Sequence, residues 1–133
     1  MIDVLLIDKT GQAKSFLPME KLGIEMFDNE VRALNVIEQA LSPVVLLHYN
    51  VREKQTEDYI RLLRQVSLNS KIVVVADALD EGSILRCLLA GAKGYQEVGQ
   101  LSRYAEKMIA VIDAGEAWIT RRMTATLLDS LRR

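Results

Sequence analysis

The chain has 133 residues, a length that suits one domain with a core of its own. Half of its residues are hydrophobic, 26% are charged and the formal net charge is -1, which excludes a disordered chain and an overall basic field for nucleic acid. The longest apolar runs are too short to cross a bilayer, no signal peptide precedes them, and the single cysteine, Cys87, cannot form an internal disulfide. These features predict a cytoplasmic protein without a membrane partner.

Strand-like and helix-like segments alternate along the chain. Short apolar, often β-branched runs predict strands at 2–8, 23–28, 43–50, 71–77 and 93–98. Apolar residues at helical spacing predict helices at 29–41, 56–66, 80–91, 101–115 and 120–133. This alternation predicts a parallel sheet with helices on both faces and right-handed crossovers, a doubly wound α/β domain.

One crossover departs from this pattern. Residues 9–22 are all that connects the first two strands, and they contain Gly11 and Pro18. A parallel crossover needs about a dozen residues, usually in a helix, and proline interrupts helices. The first helix is therefore predicted to be shortened or missing.

The run "VVLLHYN" at 44–50 places His48 at the carboxyl end of a strand that is buried on both faces. Ligands and reactive groups collect at this edge of open α/β sheets. His48 is the only histidine in the chain, so it is the first candidate for a functional residue.

Two stretches carry a family resemblance. The segment "KIVVVADALDEGSILRCLLAGAKGYQEV" (71–98), above all "LLAGAKGY", and the segment "GEAWITRRMTATLLDSL" (115–131) resemble receiver domains of response regulators in the NarL/LuxR transcription-factor group. The resemblance implies a flavodoxin-like (CheY-like) five-stranded sheet with an extra C-terminal helix. It also implies a receiver-like domain at 1–115 and a linker helix at 116–133, leading to a helix-turn-helix domain that is absent from this chain.

The resemblance further implies that the phosphorylation site of the receiver family is inactive in this chain. Such receivers hold Mg²⁺ with an acidic pair after strand one and an acceptor aspartate after strand three, and they use a Ser/Thr after strand four and a Lys after strand five. The matching positions here are Asp8, which is kept, and Lys9, His48, Ala76 and Val98, which are replaced. Only the switch aromatic, Tyr95, is as expected. The resemblance predicts a pseudo-receiver with no catalytic residue, no cofactor and no bound Mg²⁺.

His48 leaves several alternatives open. It could carry a phosphoryl group itself, bind a transition metal together with Asp8, or belong to a pocket that senses a small ligand. The interpretation we favour is structural: His48 pairs with Asp8 at the sheet edge, and the pocket is an inactive relic.

The shortened first helix predicts exposed apolar surface beside the 101–115 helix, and hence a homodimer or another docking contact. The interface candidates there are Phe16, Leu17, Tyr104 and Met108. Alternatively, Phe16, Leu17 and Trp118 fold over the gap as core. A second candidate surface is the stripe of the last helix, formed by Met123, Leu127 and Leu131, although packing onto its own domain is the favoured use of that helix.

The sequence thus predicts a non-enzymatic, phosphorylation-independent regulatory domain of a LuxR-type response regulator, acting in transcription control through protein contacts. Any DNA contact would belong to the absent domain. The alternative is a stand-alone adaptor that binds a kinase or another regulator through its 80–114 face. A third possibility is residual acyl or phosphoryl transfer, against which the replaced residues argue.

Overall fold

The computed structural model describes residues 2–132 and contains a five-stranded parallel sheet of order β2-β1-β3-β4-β5. The strands are β1 (Val4–Ile7), β2 (Ile24–Phe27), β3 (Val44–His48), β4 (Lys71–Ala76) and β5 (Gly94–Glu97). The helices are α1 (Glu30–Gln39), α2 (Thr56–Val66), α3 (Glu81–Ala90), α4 (Leu101–Asp113) and α5 (Arg121–Leu131). The predicted doubly wound fold with its extra C-terminal helix is confirmed, and the predicted bounds differ from the observed ones by at most two residues. Position 133, the end of the predicted last helix, lies outside the described residues.

Alternate side chains of the central strands fill two separate cores, as a sheet covered on both faces requires. Leu5 and Ile7 of β1 face the helices α1, α2, α3 and α5, whereas Val4 and Leu6 face α4. None of the helices within residues 2–132 is long and apolar enough to span a membrane.

A single 3₁₀ turn, Ala13–Phe16, replaces the first crossover helix, as the sequence predicts. Gly11 precedes it with a φ of 76°, a left-handed conformation that glycine adopts without steric strain. Ala13 and Leu17 are buried, and Phe16 packs against the same core, which also buries Met108 completely. The chain therefore fills the gap itself.

This packing corrects part of the predicted interface. Leu17 is 9% exposed and Met108 is fully buried, so neither presents a surface to a partner in this conformation. Phe16 and Trp118 pack against the same core, which is the arrangement expected if these residues fold over the gap. The gap left by the shortened helix is filled by the apolar residues Ala13, Phe16 and Leu17, which pack against the core beside α4.

Beyond α4, the chain crosses the free edge of β5. The backbone N–H of Trp118 donates to the Lys93 carbonyl at 3.0 Å, and the backbone N–H of Tyr95 donates to the Trp118 carbonyl at 3.1 Å. This short parallel pairing attaches residues 116–120 (the tail segment) to the sheet.

Helix α5 then packs against α3. The Thr120 hydroxyl caps α5 by accepting from the Met123 N–H at 3.1 Å, and Met123 is buried in the core beneath α3. Leu127 contacts the same core, whereas Leu131 is 66% exposed. Two members of the predicted stripe therefore pack onto the chain's own domain, and Leu131 keeps most of its surface exposed.

Candidate functional site

The carboxyl edge of the sheet brings the predicted site residues into one region. Asp8 directly follows β1, His48 ends β3, Ala76 ends β4 and Val98 follows β5. The strands are in register, with Ile7 beside Leu47 and His48 beside Val75. Asp8 is fully buried and His48 is 3% exposed, so both polar side chains need partners within the protein.

Both carboxylate oxygens of Asp8 are occupied by the loop that follows it. One oxygen, Oδ1, accepts from the backbone N–H and the hydroxyl of Thr10, both at 2.9 Å. The other, Oδ2, accepts from the Ala13 N–H at 3.0 Å. Asp8 therefore holds the start of the 3₁₀ turn, a structural task like that of a helix cap.

His48 belongs to a chain of hydrogen bonds that fixes its tautomer. The Gln12 amide donates from Nε2 to Asp77 Oδ1 at 2.6 Å, and because a carboxylate only accepts, this contact assigns the amide orientation. Gln12 Oε1 then lies 2.8 Å from His48 Nε2, which must carry the proton. The other ring nitrogen, Nδ1, accepts from the Asn50 N–H at 3.1 Å. His48 is thus a neutral imidazole with both nitrogens in use.

The electrostatic setting agrees with the neutral form. Burial lowers the pKa of His48 below its ordinary value, and the carboxylates of Asp8 and Asp77 offset this effect only in part. The sequence-based prediction that His48 pairs with Asp8 was wrong in its detail, because the oxygens of Asp8 face the 10–13 loop and the ring faces Gln12.

Lys9 is engaged in a second network. Its ammonium lies 2.9 Å from Glu30 Oε1, while Arg52 lies 2.8 Å from Glu30 Oε2. Burial acts against the charged form of Glu30, but hydrogen bonds from Arg52 and Lys9 outweigh it and hold the pKa of Glu30 below its ordinary value. The cation at the position of the second acidic ligand is therefore part of a salt-bridge triad at the sheet edge.

The remaining predicted positions are Ala76, Val98 and Tyr95. Ala76 has no hydroxyl, and Val98 is fully buried in the core under α4. Tyr95 is half-buried against the α3 side of the sheet, where burial raises the pKa of its hydroxyl. Its backbone also pairs with the tail segment, while its hydroxyl lies at the Leu79 backbone, near the carboxylates of Glu97 and Asp77.

Magnesium does not fit these residues. It requires several hard oxygen ligands in near-octahedral array. Within residues 2–132 no group of three His, Cys, Asp or Glu side chains is placed to hold a metal ion. Asp8 already accepts three hydrogen bonds, and the buried Asn50 Oδ1, which has no partner, supplies one oxygen only.

Sequence reasoning placed His48 at the edge but missed the residues around it. Asp77 directly follows β4, and Asn50 lies two residues after the end of β3. These positions at the carboxyl edge of the sheet could have identified both as candidate site residues. No sequence signal identifies Gln12, because it lies in an irregular connection whose path depends on the packing of the whole loop.

No protein-family model matches the chain, and no curated protein is similar to it. Solved structures are similar in fold. A LuxR-family two-component response regulator from an Aurantimonas species is 14% identical, with 98% of each chain covered and a TM-score of 0.74. A response regulator from Thermotoga maritima is 22% identical over 83% of this chain and 98% of that one, with a TM-score of 0.63. The RcsB response regulator of Salmonella typhimurium is 14% identical over 96% of this chain and 67% of that one, with a TM-score of 0.71.

These similarities establish the receiver fold over nearly the whole chain. Identity this low carries no residue roles with it. What the edge of the sheet can do therefore depends on the side chains described above.

Proposed function

We propose that this chain is a receiver-like regulatory domain that works without phosphoryl transfer. The observation that carries the proposal is the state of His48, which stands at the acceptor position with its Nε2 protonated and its Nδ1 already accepting a hydrogen bond. A nucleophile needs a free lone pair, and neither ring nitrogen offers one.

The surroundings of His48 support the same conclusion. Phosphoryl transfer depends on cations and hydrogen-bond donors that offset the charge that develops on the transferred group. Here the carboxylate of Asp8 is used by the backbone, and a buried valine occupies the position of the lysine. We infer that the edge is a closed hydrogen-bond network that maintains one conformation.

Such a domain would act through protein contacts in signal transduction and transcription control, in the cytoplasm and without Mg²⁺. We propose that residues 116–133 lead to a helix-turn-helix domain, to which any DNA contact would belong. A homodimer is one form of the proposed contact. The predicted interface residues that keep exposed surface are Phe16, Tyr104, Leu127 and Leu131.

The test is treatment with a small phosphodonor, acetyl phosphate, in the presence of Mg²⁺, followed by intact mass measurement at neutral pH. We expect no phosphorylated species, while an active receiver in the same tube gains one phosphoryl group. A phosphorylated species that disappears in the His48→Gln variant would show that the histidine is a nucleophile, and the proposal would be wrong.

A further inference from the structure

A groove lies on the outer side of β5, between the N-terminal end of α4 and the tail segment (the β5 groove). Its volume is about 420 Å³, which is in the range of small-molecule sites. No residue of the His48 network lines it, so it is independent of the degenerate edge.

Two aromatic side chains, Tyr104 and Trp118, meet in the β5 groove, and Tyr95 is also one of its lining residues. The ring centroids of Tyr104 and Trp118 are 6.2 Å apart and the ring planes are inclined at 56°, so the two rings form a corner. The indole Nε1–H donates to Gln96 Oε1 at 2.9 Å, which fixes the orientation of the Trp118 ring. The Trp118 ring is therefore preorganised, and the faces of both rings carry the negative part of the aromatic quadrupole.

The side chains that line the β5 groove include one acidic residue and no basic residue. Glu97 is its only ionisable carboxyl, and no lysine or arginine lines it. None of the basic side chains within residues 2–132 forms an ion pair with Glu97. The Arg103 guanidinium lies 5.3 Å from the centroid of Tyr104 and does not line the groove, so Tyr104 already makes one cation–π contact within the chain and the ligand must use the remaining aromatic surface.

We propose that the β5 groove binds an organic cation with apolar substituents, such as an alkylammonium group. Aromatic faces attract such a cation, its alkyl groups bury apolar area against the rings, and the Glu97 carboxylate balances its charge. This site goes beyond the regulatory function proposed above, because it requires nothing of the residues around His48.

Trp118 is the only tryptophan in the chain, so its fluorescence reports on the β5 groove alone. We would titrate the protein with choline at constant ionic strength, and in parallel with its uncharged isostere, in which carbon replaces the nitrogen. We expect a saturable change in emission with choline and a weaker one with the isostere. Equal responses to the two compounds, or no saturable response to choline, would overturn the proposal.

Variants separate the cation site from a general apolar groove. Glu97→Gln should weaken choline binding roughly two- to fivefold, and Tyr104→Leu should do the same while leaving the isostere unaffected. The matched control is Glu116→Gln, which removes an exposed carboxylate of the tail segment that does not line the groove. An equal loss in Glu116→Gln would mean that only net charge matters, and the proposal would be wrong.

A third titration, with lysine amide, identifies the source of the cation. Tighter binding of choline indicates a free small molecule, and tighter binding of lysine amide indicates a side chain of a partner protein. Either result supports a cation site, provided that the uncharged isostere binds more weakly than the cation.

Discussion

Each ring nitrogen of His48 has a partner of its own, and this arrangement determines how the side chain responds to pH. Protonation at Nδ1 would place an N–H against the Asn50 N–H, so the folded protein must break that hydrogen bond to accept a proton. Burial acts in the same direction by lowering the pKa of His48, while Asp8 and Asp77 oppose it. The neutral imidazole is therefore the form that the folded state stabilises.

The sign of the resulting pH dependence follows by linkage. In the unfolded chain His48 titrates near its ordinary pKa of about 6.5, so the unfolded state takes up the proton first as the pH falls. The stability contributed by the neutral ring is present above that value and is lost as the pH falls through the lower pKa of the folded state. We expect the free energy of unfolding to decrease more steeply with acidification in the wild type than in His48→Gln.

Urea unfolding at a series of pH values, from about 7.5 down to about 5, measures this difference. The carboxylates titrate in both proteins, so subtracting one curve from the other isolates His48. Parallel curves, or a wild type that gains stability in acid relative to the variant, would contradict the assigned tautomer.

For single residues, the sequence predicts where a side chain lies better than it predicts which groups the side chain contacts. An apolar run followed by polar residues placed Asp8 and His48 at the same edge, because a strand buried on both faces must end where polarity begins. The contact between His48 and Gln12 was not predictable, since Gln12 reaches the ring only through the particular path of the 8–23 loop. Thr10 and Ala13 of the same loop donate hydrogen bonds to the carboxylate of Asp8, which is why the expected pair with His48 does not form.

Among the elements, the pairing of β5 with the tail segment depends on Gly94. A Cβ atom on Gly94 would lie 2.5 Å from the Trp118 carbonyl oxygen and 2.9 Å from the Trp118 Cβ. These distances are too short for nonbonded atoms, so glycine is required here by space and not by backbone conformation. The "AGAKGY" motif therefore allows the tail segment to pair with the edge of the sheet.

Gly94→Ala should displace the tail segment from β5. The two backbone hydrogen bonds at Trp118 would lengthen or break, and we expect the free energy of unfolding to fall by about 1–3 kcal/mol. The Trp118 emission should shift towards the red, since the indole would gain contact with water.

Gly99→Ala is the matched control, because a Cβ there meets nothing within 4 Å and the φ is not positive. It should leave stability unchanged or raise it by up to about 1 kcal/mol. If Gly94→Ala proved as stable as Gly99→Ala, the close approach of Trp118 to β5 would be wrong.

The elements themselves were predictable from periodicity, turn residues and caps. The expectation that a missing helix bares apolar surface did not hold for Leu17 and Met108, because sequence spacing shows that a helix is absent but not what packs in its place. A 3₁₀ turn and the tryptophan of a distant segment share that role, and such long-range packing has no local signal.

In the whole molecule, the receiver fold carries an edge whose polar side chains bind one another and the neighbouring loops. Two hydrogen-bonded networks, around His48 and around Glu30, connect the ends of the central strands to the loops beside them. The alternation of strand and helix patterns predicted the fold, because each helix and strand shows the pattern that its place in the sandwich requires. That phosphoryl chemistry is lost at the edge stays a prediction from the replaced residues, and the hydrogen-bond network around His48 depends on loop packing that the sequence does not show.

We expect the carboxyl edge of the sheet to hold a neutral His48 and to give no response to Mg²⁺ or to a phosphoryl mimic. The most direct test is long-range proton–nitrogen NMR of the imidazole, which is unambiguous because His48 is the only histidine in the chain. At neutral pH we expect the signature of the tautomer protonated at Nε2, unchanged when Mg²⁺ and beryllofluoride are added. A ring protonated at Nδ1, or a saturable shift of the ring nitrogens on that addition, would show that the edge still binds an anion or a metal and would contradict the account.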